Sequence, residues 1–462
     1  MRRSMRRWLR IASLLPTLLA AGTALAAPPP SKAPAPTPPM GWNSWDAYGF
    51  TIDEADFKAN AGVLATLKPY GWTYAVVDEG WYMADPFGKS LAERQYLLDG
   101  NGLLVPVPAR FPSAAGGQGF KPLADWLHAQ GLKFGLHIVR GIPKQAVERN
   151  TPVAGSSFHA ADAADTADTC PWDDGNYGVR DSAAGQAYYD SMMAQYARWG
   201  LDFLKVDCIA DHPYKVSEIR QISSAIAKTG RPIVLSLSPG PTNLSHADEI
   251  SRYGQMWRIT NDVWDGWTFP HDKPTDGFPY GLRDLFDVLP GWAPHAKHGR
   301  WPDADMLPIG ALEPHPGWGD PRTSRLTADE QRTQVTLWAI ARSPLILGAN
   351  LTKLDEATRA LITNRAVIQV DQTATESHPV TDLPAGFENA RVWLATGAKG
   401  QRYLALFNLD DKPSTLAASW GKLGLAGGNL TAHDLWTGKA LPAADSLNVT
   451  LPAHGSALYE VK

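Results

Sequence analysis

Polar side chains stand at the ends of short apolar segments in this chain, and the clearest case is Phe203–Asp207. This segment is apolar except for Lys205 and the final Asp207. A strand buried on both faces is almost continuous in apolar residues, and an ionisable group at its end is costly unless it is paired. Lys205 and Asp207 therefore indicate a charged pair held for chemistry, although an aspartate that caps a helix would give the same pattern.

The same arrangement recurs at the ends of other apolar segments. The polar residues found there are Asp78 and Glu79, His137 and Arg140, Ser236 and Ser238, Arg258 and Asp262, and Asp303 and Asp305. In a (β/α)8 barrel the carboxyl ends of all strands meet at one mouth, which is where active sites lie. Each of these residues could by itself be a surface charge or a cap. Their clustering at one predicted end favours an active site.

Two carboxylates at such a mouth are the groups that glycoside hydrolysis requires, one ionised and one protonated. Asp207 is the candidate for the ionised group, because Lys205 beside it favours the charged form. Asp262 is the candidate for the general acid. Trp264 and Trp267 follow it closely in the sequence, and we expect their indoles to desolvate the carboxyl and keep it protonated.

Metal catalysis is the competing chemistry, because His137, His212 and several aspartates could supply ligands. Their spacing does not match a hydrolase metal site, since no His-x-His pair ends the first predicted strand. We therefore expect no metal and no cofactor.

The elements that would position these residues alternate between strands and helices from Pro39 to Asp371. The predicted strands are Met40–Trp42, Tyr74–Asp78, Lys133–Ile138, Phe203–Asp207, Pro232–Leu237, Met256–Thr260, a weak one before Asp305, and Pro344–Leu347. Eight such strands predict an α/β fold, a (β/α)8 TIM barrel, over residues 39–371. A doubly wound sheet is the alternative. It requires a glycine-rich phosphate-binding turn after an early strand, and the sequence has none.

The pattern changes after Asp371 to short alternating strands separated by turn residues. These strands are Arg391–Leu394, Arg402–Asn408, Asn429–Asp434, Leu447–Leu451 and Ser456–Val461. They predict a small antiparallel β domain over residues 372–462.

The first 26 residues have the order of a secretory signal peptide, with five arginines, an apolar stretch and small residues ending at Ala26. Residues 27–38 are rich in proline and alanine and predict an extended linker. We expect a secreted or periplasmic protein that has no membrane segment after cleavage. Cleavage would change the formal net charge from −4 to −9, which argues against nucleic acid as a partner. The oligomeric state is left open.

Two further features of composition fit an exported protein that binds a carbohydrate. The 18 tryptophans of the 462 residues suit sugar binding, because indoles cover the apolar faces of pyranose rings, although buried structural tryptophan is the more ordinary explanation for many of them. The two cysteines, Cys170 and Cys208, predict a disulfide in an exported chain, with two free buried thiols as the alternative.

Five motifs occur in a recognisable order along the predicted barrel. They are Pro39-Met40-Gly41-Trp42-Asn43-Ser44-Trp45, Val77-Asp78-Glu79-Gly80-Trp81, Leu204-Lys205-Val206-Asp207, Trp257-Arg258 with Asp262, and Asp303-Ala304-Asp305-Met306-Leu307. The sequence resembles glycoside hydrolase family 27, which contains α-galactosidases and α-N-acetylgalactosaminidases. The resemblance is dense from Pro38 to Asp371 and positional only in the β domain. It implies a (β/α)8 barrel with a C-terminal β-sandwich and a retaining mechanism.

The resemblance also implies roles for individual residues. Asp207 would be the nucleophile and Asp262 the acid/base. The implied sugar-binding residues are Trp45, Asp78, Glu79, Lys205, Arg258 and Asp305. A family parallel also supports the Cys170–Cys208 disulfide.

Three departures from the family pattern bear on the choice of sugar. Glu79 stands where the usual member of an acidic pair is an aspartate, and its extra methylene could crowd the C6 group of galactose. β-L-Arabinopyranose lacks C6, and family members that act on it are similar at this pair. Ser238 replaces a larger glutamate and could admit a 2-acetamido group, while His137 stands where a tyrosine is common; both are also expected to bind substrate.

We predict an α-galactosidase that acts on terminal α-D-galactosides. A β-L-arabinopyranosidase, because of Glu79, and an α-N-acetylgalactosaminidase, because of Ser238, are the alternatives within the family. A non-catalytic carbohydrate-binding barrel is the alternative from another class.

Overall fold

The computed structural model describes residues 34–88, 95–270 and 277–462. The predicted signal peptide and most of the predicted linker lie outside these ranges. No helix within them is both long and apolar enough to span a bilayer.

Eight parallel strands form the central sheet, and we number them β1 to β8 along the chain. They are Met40–Asn43, Tyr74–Val77, Lys133–Val139, Phe203–Asp207, Val234–Leu237, Met256–Arg258, Trp301–Asp303 and Leu345–Leu347. Their order in the sheet runs from β7 through β6, β5, β4, β3, β2 and β1 to β8. Just after β7, the Leu307 amide donates to Ile346 O at 2.8 Å, and Leu307 pairs with Leu347 in parallel. This contact joins the two outer strands, and the sheet closes as a TIM barrel.

Helices surround the sheet and cover its apolar outer surface. The α-helices are Trp45–Tyr48, Glu54–Leu67, Lys121–Ala129, Lys144–Glu148, Ala160–Ala163, Ala183–Trp199, Val216–Thr229, Ala247–Tyr253, Leu285–Trp292, Ala328–Ala341, Glu356–Ile362 and Arg365–Thr373. Local sequence sets their ends: Thr327 and Glu330 form a capping box at the start of Ala328–Ala341. Gly200, in the left-handed region, ends Ala183–Trp199.

The barrel prediction is confirmed, and all eight predicted strands are present with ends shifted by a few residues at most. The described part of the predicted linker is packed on the barrel at Ala35 and Pro38, whereas Pro36 and Thr37 are exposed. Ala35 is buried, and its carbonyl accepts a hydrogen bond from Trp301 Nε1 at 2.9 Å. Ala35 joins an apolar cluster with residues at the starts of the strands, among them Tyr74 and Phe203, so this segment covers the amino-terminal end of the barrel.

An antiparallel insertion separates β3 from β4 and was not predicted. Its three short strands are Ile142–Pro143, Ala164–Thr169 and Asn176–Val179. A disulfide between Cys170 in this insertion and Cys208 after β4 confirms the predicted pair. The insertion is thereby fixed beside the end of β4, where Asp207 lies.

The C-terminal region forms a six-stranded antiparallel sheet and a separate two-stranded sheet. The strands are Thr375–Pro379, Ala390–Thr396, Arg402–Asn408, Ser414–Ser419, Leu430–Asp434, Ala440–Ala444, Ser446–Leu451 and Ser456–Val461. The predicted antiparallel domain is therefore present. Sequence reasoning missed Thr375–Pro379, Ser414–Ser419 and Ala440–Ala444, because these strands are largely exposed and lack regular apolar alternation.

Candidate functional site

A cavity of about 170 Å³ opens at the carboxyl ends of the barrel strands. Eight of the ten residues predicted to act or bind line it: Trp45, Asp78, Glu79, Lys205, Asp207, Ser238, Arg258 and Asp262. Its volume is below the range of pockets for drug-sized ligands, and it suits a single sugar ring. The other two predicted residues, His137 and Asp305, are buried behind this lining and touch Asp207 and Arg258 respectively.

The floor of the cavity holds a buried ion pair between β2 and β4. Lys205 Nζ lies 2.9 Å from Asp78 Oδ2, and Asn43 Nδ2 donates to the same oxygen at 2.6 Å. Burial would raise the pKa of Asp78, but the attraction of His137 and Lys205 outweighs it and the pKa is lowered. Lys205 therefore has Asp78 as its hydrogen-bond partner, and its effect on Asp207, which the sequence suggested, is purely electrostatic and secondary.

Asp207 lies at the end of β4 and is held as a carboxylate. Its Oδ1 accepts the Cys208 amide at 2.6 Å, and His137 Nε2 lies 3.5 Å from Oδ2. Burial acts to raise the pKa of Asp207, but the hydrogen bond and attraction of His137, followed by the charge of Lys205, lower it overall. Cys208 has a φ of 62°, a conformation that is unfavourable for a non-glycine residue, directly after Asp207. The result is an oriented carboxylate with a lowered pKa at the end of β4.

Arg258, at the end of β6, links two other carboxylates. Its Nη2 lies 3.0 Å from Asp262 Oδ1 and 2.8 Å from Asp305 Oδ2. Asp305 is buried, has a φ of 86° and accepts the Val263 amide at 2.7 Å, so it fixes the loop that contains Asp262. The Asp262 side chain is 38% exposed. The expectation that indoles bury this carboxyl is therefore wrong, and Arg258 is the group that orients it.

Glu79 follows Asp78 and is paired with another acid. Burial, followed by the charge of Asp173 and a hydrogen bond with it, raises the pKa of Glu79 well above its usual value. Asp173 lies in the insertion after β3, and its Oδ1 accepts the Gly175 amide at 2.9 Å. The pKa of Glu79 is thus raised and that of Asp207 lowered, which favours one neutral and one charged carboxyl group side by side.

Arg140 supports the loop behind Asp207. Its Nε donates to Cys208 O at 2.6 Å, and its guanidinium binds Asp168 at 2.9 Å and Glu218 at 2.9 Å. The arginine is 2% exposed, and these bonds join β3, the insertion and the loop after β4. Arg140 therefore stabilises the position of the Asp207 loop and does not line the cavity.

One group of donor side chains in the described ranges is compact enough to share a metal ion. It consists of Glu79, His137 and Asp207, whose ligand atoms lie within 4.8 Å of one another. Each already has a partner within the site: His137 faces Asp207, and Glu79 is bonded to Asp173. Hydrogen bonding accounts for this cluster, and we assign no ion to it.

Sequence reasoning missed several groups at the site. Phe50, Trp172, Asp173 and Met306 also line the cavity, and Asp46 is buried near Asp305 with a pKa raised by burial. Asn43 lay within a quoted motif and Asp173 stands three residues after Cys170, so both had a usable signal. Met306 also lay within a quoted motif, whereas Phe50, Trp172 and Asp46 had no such signal.

We expect His137→Phe to shift the acid limb of the pH profile. The pKa of Asp207 is lowered, so this carboxylate stays ionised until the pH falls below the usual aspartate range. Without His137, burial dominates, and the acid limb of kcat/KM should move to higher pH. The pH dependence of kcat/KM is the measurement, with His433→Phe on an exposed strand as the control. An unchanged acid limb would show that His137 does not set this pKa.

Two carboxylates with distinct environments around a sugar-sized cavity at a barrel mouth define the class of the protein as a glycoside hydrolase. Comparisons agree with this class. Residues 172–373 match the family model described as alpha galactosidase A, and residues 387–461 match its C-terminal beta sandwich domain.

Individual relatives show which glycoside hydrolase family the chain belongs to. A family 27 β-L-arabinopyranosidase from Geobacillus stearothermophilus is 42% identical, with a TM-score of 0.85, over 93% of this chain and 97% of that chain. A Bacillus halodurans protein proposed to be an α-N-acetylgalactosaminidase is 38% identical, with a TM-score of 0.80, over 92% and 97%. Alpha-galactosidase A of Cellvibrio japonicus is 26% identical over 91% of each chain. The chain belongs to glycoside hydrolase family 27.

Proposed function

We propose that the protein is a retaining glycosidase that releases terminal β-L-arabinopyranose, with α-D-galactosides as weaker substrates. The observation that carries this choice is Glu79, whose longer side chain is buried in the cavity wall where the family pattern has an aspartate. The 42% identity with an arabinopyranosidase, against 26% with an α-galactosidase, supports the same choice.

The reaction would proceed in two displacements. In the first, an oxygen of Asp207 forms a bond to the anomeric carbon while the bond to the leaving oxygen breaks, and Asp262 gives that oxygen a proton. In the second, Asp262 takes a proton from water, the water oxygen bonds to the anomeric carbon, and Asp207 is released as a carboxylate. Two inversions leave the sugar with its original anomeric configuration.

The remaining cavity residues would hold the sugar. Ionised Asp78 accepts hydrogen bonds from ring hydroxyls and Lys205 donates them, while Trp45 covers an apolar face of the ring. Arg258 orients Asp262 and can donate to a hydroxyl. The binding energy is thus concentrated on one ring, which matches the cavity volume of about 170 Å³.

An α-galactosidase remains the second candidate, because the curated relatives named for that activity extend over most of the chain. Ser238 lines the cavity and leaves an α-N-acetylgalactosaminidase as a third substrate class, which the Bacillus halodurans relative favours.

We also propose that the protein is exported by cleavage after Ala26 and meets its glycans outside the cytoplasm. The order of residues 1–26 and the predicted disulfide, which is present, support this proposal.

The deciding experiment compares aryl β-L-arabinopyranoside, aryl α-D-galactoside and aryl α-N-acetylgalactosaminide in the parent and in Glu79→Asp. We expect the parent to prefer arabinopyranoside. Removing one methylene in Glu79→Asp should shift the ratio of kcat/KM values toward galactoside by about ten-fold or more. Glu388→Asp, on an exposed loop of the β domain, is the matched control and should leave the ratio unchanged.

Two outcomes would contradict the proposal. A parent that hydrolyses galactoside or the acetamido sugar better than arabinopyranoside would exclude the proposed specificity. Loss of all activity on treatment with a chelator would instead favour a metal mechanism over the two aspartates.

A further inference from the structure

Asp173 was not predicted as a functional residue, yet it lines the cavity next to Glu79. Asp173 is 5% exposed, and hydrogen bonds from its own loop and from another segment of the chain hold its side chain. Its Oδ1 accepts the Gly175 amide at 2.9 Å, and Tyr96 Oη donates to it at 3.2 Å. The loop itself is tied to the end of β4 through Cys170. Asp173 is therefore a buried carboxylate held rigidly at the wall of the sugar site.

The partner of Asp173 on the cavity side is the Glu79 carboxyl. Two carboxyl groups can form a hydrogen bond only when one of them is protonated. Both groups line the same cavity wall. Burial, followed by the charge of Asp173 and a hydrogen bond with it, raises the pKa of Glu79, which favours Glu79 as the donor of that bond. Asp207 and Asp78, which also face Glu79, act in the same direction. The Glu79 carboxyl is thus hydrogen-bonded to a side chain of the insertion loop.

We propose that Asp173 is a positioning residue that sets sugar specificity by holding the Glu79 carboxyl across the space that a C6 hydroxymethyl group would need. The ligand class this selects is a pentopyranose with the ring configuration of galactose. The inference rests on the proposed function and deepens it. A glutamate without this anchor could rotate away from the ring, so the extra methylene would not by itself exclude a hexose.

The test is a double-mutant cycle with the ratio of kcat/KM for aryl β-L-arabinopyranoside over aryl α-D-galactoside as the readout. Asp173→Ala should lower this ratio about ten-fold. Asp173→Asn keeps an acceptor oxygen for Glu79 and should retain most of the preference. In a Glu79→Asp background, Asp173→Ala should leave the ratio unchanged, because its effect passes through Glu79.

Asp174→Ala is the matched control, since Asp174 is a neighbouring, exposed carboxylate that pairs with Lys144. Tyr96→Phe removes one hydrogen bond to Asp173 without emptying the site. It should lower the ratio in the same direction but less, which keeps the proposal testable if Asp173→Ala does not fold.

Equal losses on both substrates in Asp173→Ala would show a merely structural role and overturn the inference. An equal change of the ratio with and without Glu79 would overturn it as well. A parent that prefers galactoside would contradict the proposed function but not the coupling of Asp173 with Glu79. The double-mutant cycle measures this coupling whichever sugar the parent prefers.

Discussion

Replacing Asp207 with alanine is expected to lower kcat by about 10⁴-fold or more on every glycoside that the parent hydrolyses. The carboxylate is the only group in the described cavity that combines a lowered pKa with a fixed position between the Cys208 amide and His137. Its loss removes the bond-forming atom itself, so an activated leaving group cannot compensate. Steady-state kinetics on a dinitrophenyl glycoside and on an alkyl glycoside measure the effect.

Rescue with azide would identify the missing group in Asp207→Ala. A small anion that enters the space left by the carboxylate should restore turnover and yield a glycosyl azide of inverted configuration. Asp211→Ala, a change on the same loop at a residue paired with His212, is the matched control and should keep near-parental activity. Substantial activity in Asp207→Ala without added azide would exclude Asp207 as the nucleophile.

Replacing Asp262 with alanine should have an effect that depends on the leaving group. Loss of the general acid should slow hydrolysis of alkyl or sugar glycosides by about 10²–10⁴-fold. A dinitrophenyl glycoside leaves without a proton, so its first displacement should be nearly unaffected. The second displacement should be slow, because no base activates the water, and the released phenol should appear as a burst.

The activated substrate serves as the control for the unactivated one, since the parent and Asp262→Ala are both measured on the same two substrates. Equal losses on activated and unactivated substrates would show that Asp262 is not the acid. Arg258→Lys offers an independent check, because it should disturb the orientation of Asp262 and affect the unactivated substrate more strongly.

Barrel strands and most site residues could be predicted from the sequence because both depend on short-range patterns. The strands are brief apolar runs, and the polar residues that follow them are brought together by the barrel itself. Asp78, Lys205, Asp207 and Arg258 are such residues, and all line one cavity.

Residues whose positions depend on the insertion after β3 could not be predicted in this way. Its strands are short, partly exposed and antiparallel, so they lack a strong periodic pattern. Asp173 lines the cavity with Glu79 through this insertion, which the Cys170–Cys208 disulfide fixes beside the end of β4. The surroundings of Asp262 were mispredicted for a related reason, because nearness in sequence to Trp264 and Trp267 does not determine which side chain a loop residue contacts.

The proposed mechanism requires that Asp207 form a covalent bond to a pentopyranose during turnover. Rapid-quench mass spectrometry of Asp262→Ala with dinitrophenyl β-L-arabinopyranoside tests it directly, because the slow second displacement should let the intermediate accumulate. We expect a mass increase of one pentosyl residue on the peptide that contains Asp207. Release of phenol without a covalent adduct, or an adduct on another residue, would contradict it.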